Sequence, residues 1–236
     1  MTIAELVTTT RLLVGDPNSE RWTTNDAIYN ALSVAQRLFV AEVLGSPSFR
    51  DNFEVFADIS ASDTISVGVA GFALGGLKST MARNGYISSR VTTGGKVRYV
   101  TRMPQSKVGM LGNQYFRGND WTPKCYIEGD VYRLMISMGS YPKNVTLSYI
   151  AVPDKITSST SPVISAAFHD ILAIMAEEHL RRGIDEFEQA AYLRQAIIVP
   201  VIGKVASGGA KEPKSHTMGQ YMRDRQNATE AQGGTR

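Results

Sequence analysis

Along this chain the spacing of apolar side chains changes period twice. Ile3, Leu6, Val7, Leu13 and Val14 recur at helical intervals and form one stripe, which predicts an amphipathic helix from Ile3 to Val14. Thr2, with Glu5 three residues on, has capping-box spacing, and Gly15-Asp16-Pro17-Asn18 supplies the stop. A second helix is predicted after Trp22, capped by Thr23 or Thr24. It carries Ile28, Ala31, Leu32, Ala35, Leu38 and Phe39 inward and ends at Gly45 and Pro47.

From Phe53 to Val152 the period becomes that of strands. Phe53 to Ile59 and Thr64 to Phe72 are rich in aromatic and β-branched residues. Tyr86 to Thr92 and Lys96 to Met103 flank Thr93-Gly94-Gly95, a hairpin signal, and Glu128-Gly129-Asp130 marks a second hairpin between Cys125-Tyr126-Ile127 and Val131 to Ile136. Asn144 to Ile150 alternates cleanly and stops at Pro153. The middle therefore reads as antiparallel β with long loops.

The helical period returns near Ser165. Phe168, Ile171, Leu172, Met175, Ala176 and Leu180 form the buried stripe of a strong helix, closed by Arg181-Arg182-Gly183. A fourth helix, starting at Asp185 or Glu186, carries Phe187, Ala190, Leu193, Ile197 and Ile198, and Pro200 should kink or end it. No single helix can bury its own stripe. The economical solution is an α+β fold in which N- and C-terminal helices form an antiparallel bundle (residues 1–48 and 154–206) with an inserted antiparallel β region (49–153). Residues 207–236 are mostly Gly, Ser, Gln and charges, a composition that cannot offset its ordering entropy by self-burial, so they are expected to form an extended C-terminal tail.

Composition narrows the chemistry. No apolar run approaches the roughly 18 residues needed to span a bilayer, and the opening residues carry no secretory signal, so a soluble protein made in the cytoplasm is expected. The single cysteine, Cys125, rules out an intrachain disulfide and sits in a predicted strand, where a buried apolar role is expected. With 25 basic and 22 acidic residues the whole chain is too balanced for a dedicated nucleic-acid binder.

Motifs for catalysis are weak. Gly71 to Ser79 resembles a phosphate loop but places one extra residue, Leu77, before Lys78, which breaks the register that a phosphate cradle needs. His169 and His179 lie about 80° apart in helical projection, too far round to share a metal, and Glu177, Glu178 and His179 read as solvated helix groups. There is no G-x-S-x-G elbow, and no enzyme activity, metal or cofactor is expected. Lys204, Lys211, Lys214, Arg223 and Arg225 form a loose basic cluster toward the C-terminus, and the isolated apolar residues Met218, Tyr221 and Met222 among them suit docking.

Four stretches carry a family resemblance: Glu5-Leu6-Val7 to Leu12-Leu13-Val14-Gly15-Asp16-Pro17-Asn18; Arg21-Trp22-Thr23-Thr24-Asn25-Asp26-Ala27-Ile28 to Gln36; Leu147 to Pro153; and Ile164 to Leu180. In this order they resemble the head-to-tail connector (portal adaptor) proteins of tailed bacteriophages, over most of residues 1–200. Met103-Pro104-Gln105-Ser106 lacks the acid of the Leu-Pro-x-Asp-like turn often found in relatives. The resemblance implies a virion protein at the head–tail interface, a homo-oligomeric ring of about twelve copies beneath the portal protein. It would extend the channel through which the genomic DNA passes and dock the next neck or tail component. It also implies that Lys211, Lys214, Met218, Tyr221, Met222, Arg223 and Arg225 contact the portal. The competing readings are another neck protein (a stopper or tail terminator), a small DNA-packaging accessory protein, and an enzyme using the Gly71–Ser79 loop.

Overall fold

The computed structural model describes residues 1–49, 53–93, 95–113, 118–136 and 141–208. It is an α+β protein whose chain divides into two compact units, one formed by residues 1–55 together with those from 153 onward, the other by residues 56–152.

The first unit is helical. Helix α1 (Ile3–Val14) opens on the capping box: the Thr2 hydroxyl accepts the Glu5 N–H at 3.3 Å while the Glu5 carboxylate accepts the Thr2 N–H at 2.8 Å. It closes on Gly15 in the left-handed conformation (φ 76°), where a side chain would be strained. Helix α2 (Asp26–Gly45) starts later than Thr23 or Thr24 and has no side-chain cap. Asn25 stands at its N-terminus, but its amide oxygen is already taken by the Arg11 guanidinium, at 3.1 and 2.9 Å.

After a 3-10 turn at Ala166–Phe168 comes α3 (His169–Arg182), which contacts α1, α2 and the following α4 (Phe187–Leu193). Being enclosed, α3 is buried on more than the predicted stripe: Ala173, Ile174, Glu177, Glu178 and Arg181 are inside as well. The helical path does not stop at Pro200. It widens into a π turn at Arg194–Ile198 and resumes as α5 (Val199–Ala206), with Pro200 in the first turn, where its missing N–H costs little. The extra residue in that turn shifts the buried face to Ile198, Ile202 and Val205, while Phe187 is 60% exposed. Leu38 on α2 is likewise exposed, contrary to its place in the predicted stripe.

The second unit holds two four-stranded sheets. The first has the order β1 (Ser60–Val67), β8 (Lys143–Ala151), β3 (Met81–Thr93), β4 (Lys96–Tyr99), all antiparallel. The second has the order β2 (Phe72–Ala73), β7 (Val131–Met135), β6 (Lys124–Glu128), β5 (Thr101–Arg102). Both predicted hairpins are present, with Thr93 opposite Lys96 and Glu128 opposite Val131. One apolar cluster takes residues from both sheets, among them Ile65, Val91, Cys125, Tyr132, Leu134, Val145, Leu147 and Tyr149.

Three expectations for this region are corrected. Phe53–Ile59 is not a strand: it folds as two short 3-10 turns that meet at a kink at Phe56 (φ −112°, ψ 23°), with Phe56 and Ile59 buried. The Thr64 to Phe72 strand begins earlier, at Ser60, and ends at Val67, where the Gly68 to Gly71 turn (N–H to O 3.0 Å) reverses the chain. The region is not wholly antiparallel either: the strand expected over Lys96 to Met103 breaks at Val100, whose N–H binds Ser89 O at 2.9 Å. Its second part, β5, then pairs in parallel with β6.

Candidate functional site

The residues assigned to portal contact, Lys211, Lys214, Met218, Tyr221, Met222, Arg223 and Arg225, lie outside the described residues. Among the polar groups of the described residues, three closed ones and one open one bear on what the protein can do.

Two of the closed groups hold the helical unit. Asp16 accepts the N–H groups of Arg21 (2.9 Å) and Trp22 (3.1 Å) and pairs with Arg11 at 2.9 Å. These backbone donors, with the nearby guanidinium, hold its carboxyl below the usual aspartate range. The α1–α2 connection thus folds around one carboxylate. On α3, Arg181 is 4% exposed and reaches Glu177 (2.8 Å), Gln189 (2.5 Å), Glu186 and the Leu13 carbonyl (3.0 Å) in the last turn of α1. Glu177 and Glu178 are therefore not solvated helix groups, as their sequence suggests; both are buried, and Glu178 lies 2.6 Å from Arg182.

His169 is also inside, its Nε2 at 3.1 Å from Ile164 O, while His179 is exposed. Burial pushes the His169 pKa below its ordinary value, so the folded imidazole is held neutral. The unfolded chain keeps the ordinary pKa of about 6.5, and below it the unfolded state binds the extra proton first. The His169 contribution is thus present above that pH and declines as the pH falls toward the lowered folded value. Between neutral and mildly acidic pH, the urea midpoint is expected to fall less in His169→Gln than in the parent protein.

The third closed group lies inside the β unit. Ser89 Oγ sits 2.9 Å from the Tyr86 hydroxyl and 2.8 Å from that of Tyr132, with Cys125 Sγ 3.6 Å from Tyr86. Burial raises both phenols and the thiol, so all stay protonated. No base faces them, and they work as a hydrogen-bonded core. The Gly71–Ser79 segment is no phosphate loop: it forms β2 and a 3-10 turn, the Lys78 N–H binds Asp63 (2.9 Å), and β3 follows where a phosphate loop has a helix. Gly71 is required by packing, since a Cβ there would lie 2.7 Å from Val131 Cγ1 and 2.8 Å from Tyr132 O.

The fourth group is open. On the outer face of the β1-β8-β3-β4 sheet, Thr64, Arg90, Thr92, Val97, Asn144 and Thr146 line a shallow depression of about 500 Å³. Thr64, Thr146, Arg90 and Tyr99 form one cross-strand row. Alternation explains the arrangement: Ile65, Val91, Val145 and Leu147 turn inward, so their neighbours must turn outward. These outward residues read in the sequence only as the polar half of each strand. Nothing in the spacing showed that strands distant along the chain would place them side by side. Such a face can bind, but it carries no nucleophile–base pair. Among the described residues no three His, Cys, Asp or Glu side chains come together to hold a metal, and no helix is long and apolar enough to cross a membrane.

In comparison with known proteins, no family model matches the chain, and no curated protein sequence is detectably similar to it.

Proposed function

We propose that this protein is a structural head-to-tail adaptor of a tailed-phage virion: a ring-forming component beneath the portal that extends the DNA channel and docks the next neck or tail protein. One observation carries the reading. The first 55 residues and those from 153 onward share a helical unit, while the intervening 97 residues form a β unit of their own. In this proposal the helices form an antiparallel bundle and the β unit is an insertion carried by it. A closed ring needs two different complementary surfaces on each protomer, and a chain built of two unlike units offers them.

The segment after α5 is assigned to the portal. It begins beyond the last helix of the unit, so it can engage a second protein while the bundle keeps its own contacts. Removal of residues 209–236 is expected to leave a soluble, helical protein that no longer co-purifies with the portal. Undiminished portal capture by the truncated chain rejects the assignment. Negative-stain images of the full-length protein test the ring itself, and a persistently monomeric particle in the presence of the portal counts against the adaptor reading.

A further inference from the structure

The near-neutral charge of the chain conceals a segregation that follows the fold. Residues 56–152 contain eleven Lys and Arg against five Asp and Glu, a net charge of +6, whereas the rest of the chain contains fourteen against seventeen, a net of −3. Among the acids of the β unit, Asp63 pairs with Lys78 and Glu128 with Arg133. What remains of the unit's charge is still strongly positive.

The cations concentrate along one ribbon. Lys96-Val97-Arg98-Tyr99-Val100-Thr101-Arg102 supplies β4, the edge of the first sheet, and then β5, the edge of the second. It carries three cations and an exposed aromatic ring in seven residues. Tyr99 is 73% exposed, Val97 is 63% exposed, and the Arg98 guanidinium lies 4.8 Å from the ring centre of Trp121, itself 71% exposed. Beside the ribbon is the depression around Arg90, lined by hydroxyls and one side-chain amide and by no carboxylate.

We infer that this ribbon and the adjoining sheet face bind the phosphate backbone of a nucleic acid. Arg90 on the outer face and Lys96 and Arg102 along the edge supply the charge, the Thr64, Thr92, Asn144 and Thr146 side chains donate hydrogen bonds to phosphate oxygens, and Tyr99 on the Arg90 side of β4 and Trp121, against Arg98 on its other side, offer π faces to unpaired bases that wrap the edge. An acidic polypeptide could satisfy the charge. Exposed rings flanking cations match bases strung between phosphates, and competition with polyglutamate decides between the two. The inference concerns the isolated protein and holds whether or not the chain is an adaptor.

The test is fluorescence anisotropy of the full-length protein with a labelled single-stranded DNA and a duplex of the same length, over a range of salt. Binding is expected with an affinity that falls steeply as salt rises. The triple substitution Arg90→Gln, Lys96→Gln, Arg102→Gln should weaken it at least about tenfold and flatten the log–log salt slope by about 2 to 3, near 0.9 for each phosphate no longer neutralised. The matched triple Arg21→Gln, Lys155→Gln, Lys204→Gln, in the helical unit, should leave it unchanged. Preference for the single strand, abolished in Tyr99→Ala, assigns the rings to stacking. Equal binding of the duplex with no effect of Tyr99→Ala withdraws the rings and overturns that part.

A Trp22→Phe protein, in which Trp121 is the only tryptophan, gives a readout independent of how the triple variant folds: its fluorescence should change on adding DNA. Absence of DNA binding at low salt, equal loss in the control triple, or displacement by polyglutamate at equal charge overturns the proposal. Portal capture that persists in the triple variant, or DNA binding that persists when portal capture fails, separates this inference from the adaptor reading.

Discussion

Replacing Arg181 with methionine is expected to destabilise the helical unit by about 3–5 kcal/mol, the range for removing one partner of a buried ion pair. Methionine is nearly as long, as flexible and as good a helix former, so intrinsic propensity is not at stake. What disappears is a hub. Arg181 satisfies Glu177, Glu186 and Gln189 around α3 and α4, and it also covers the Leu13 carbonyl, one of the orphan acceptors at the end of α1. Glu177 is 1% exposed, so its carboxylate would be left charged and out of water. The measurement is urea unfolding followed by helical circular dichroism. A double substitution, Arg181→Met with Glu177→Gln, should recover a large part of the loss, because it also removes the buried charge that Arg181 had balanced. A single variant as stable as the parent would show that the hub is energetically idle.

Tyr132→Ala is expected to have a comparable effect in the β unit, about 3–5 kcal/mol, as for large aromatic residues removed from a core. Tyr132 is fully buried on β7 and its hydroxyl holds Ser89 across the cluster. Tyr132→Phe keeps the ring and removes only that hydrogen bond; Ser89 retains Tyr86, so about 1 kcal/mol is expected. Cys125 provides the readout. It is the only cysteine in the chain, it is 0% exposed, and burial keeps its thiol protonated and slow to react. Labelling by a thiol reagent must await opening of the unit. Under those conditions Tyr132→Ala should accelerate labelling by roughly two to three orders of magnitude or more, and Tyr132→Phe by about fivefold to tenfold. Equal rates in all three proteins would mean that the thiol is reached without disturbing the core.

Local chemistry was readable where one element settled the matter alone. The Thr2–Glu5 box, the Gly15 stop and the two hairpins depend on neighbours within a few positions, and they are found where the spacing put them, with Thr93 and Glu128 paired as strand residues rather than lying in the loops. Cys125 is buried in a strand, as its flanking residues suggested. Misreadings arose where a distant partner decided. Asn25 leaves α2 uncapped because Arg11, fourteen residues earlier, takes its amide. Glu177 and Glu178 look like a solvated pair until Arg181 and Arg182, one turn further on, are placed inside with them or against them. Phe53–Ile59 has strand-like composition, but it folds as two 3-10 turns kinked at Phe56, with Phe56 and Ile59 turned inside.

The alternation of helical, β and helical segments, the Thr2 cap, the Gly15 stop and the hairpin turns were legible along the chain, because periodicity, capping and glycine conformation act over a few residues. Folding alone settled which side chains from separate elements meet: it buries Glu177 and Glu178 beside Arg181 and Arg182, and it lays Arg90 opposite Thr146, on a strand far along the chain. The physical reason is range: burial and electrostatics depend on distance in space, and a linear chain specifies that distance only after every strand has found its partner.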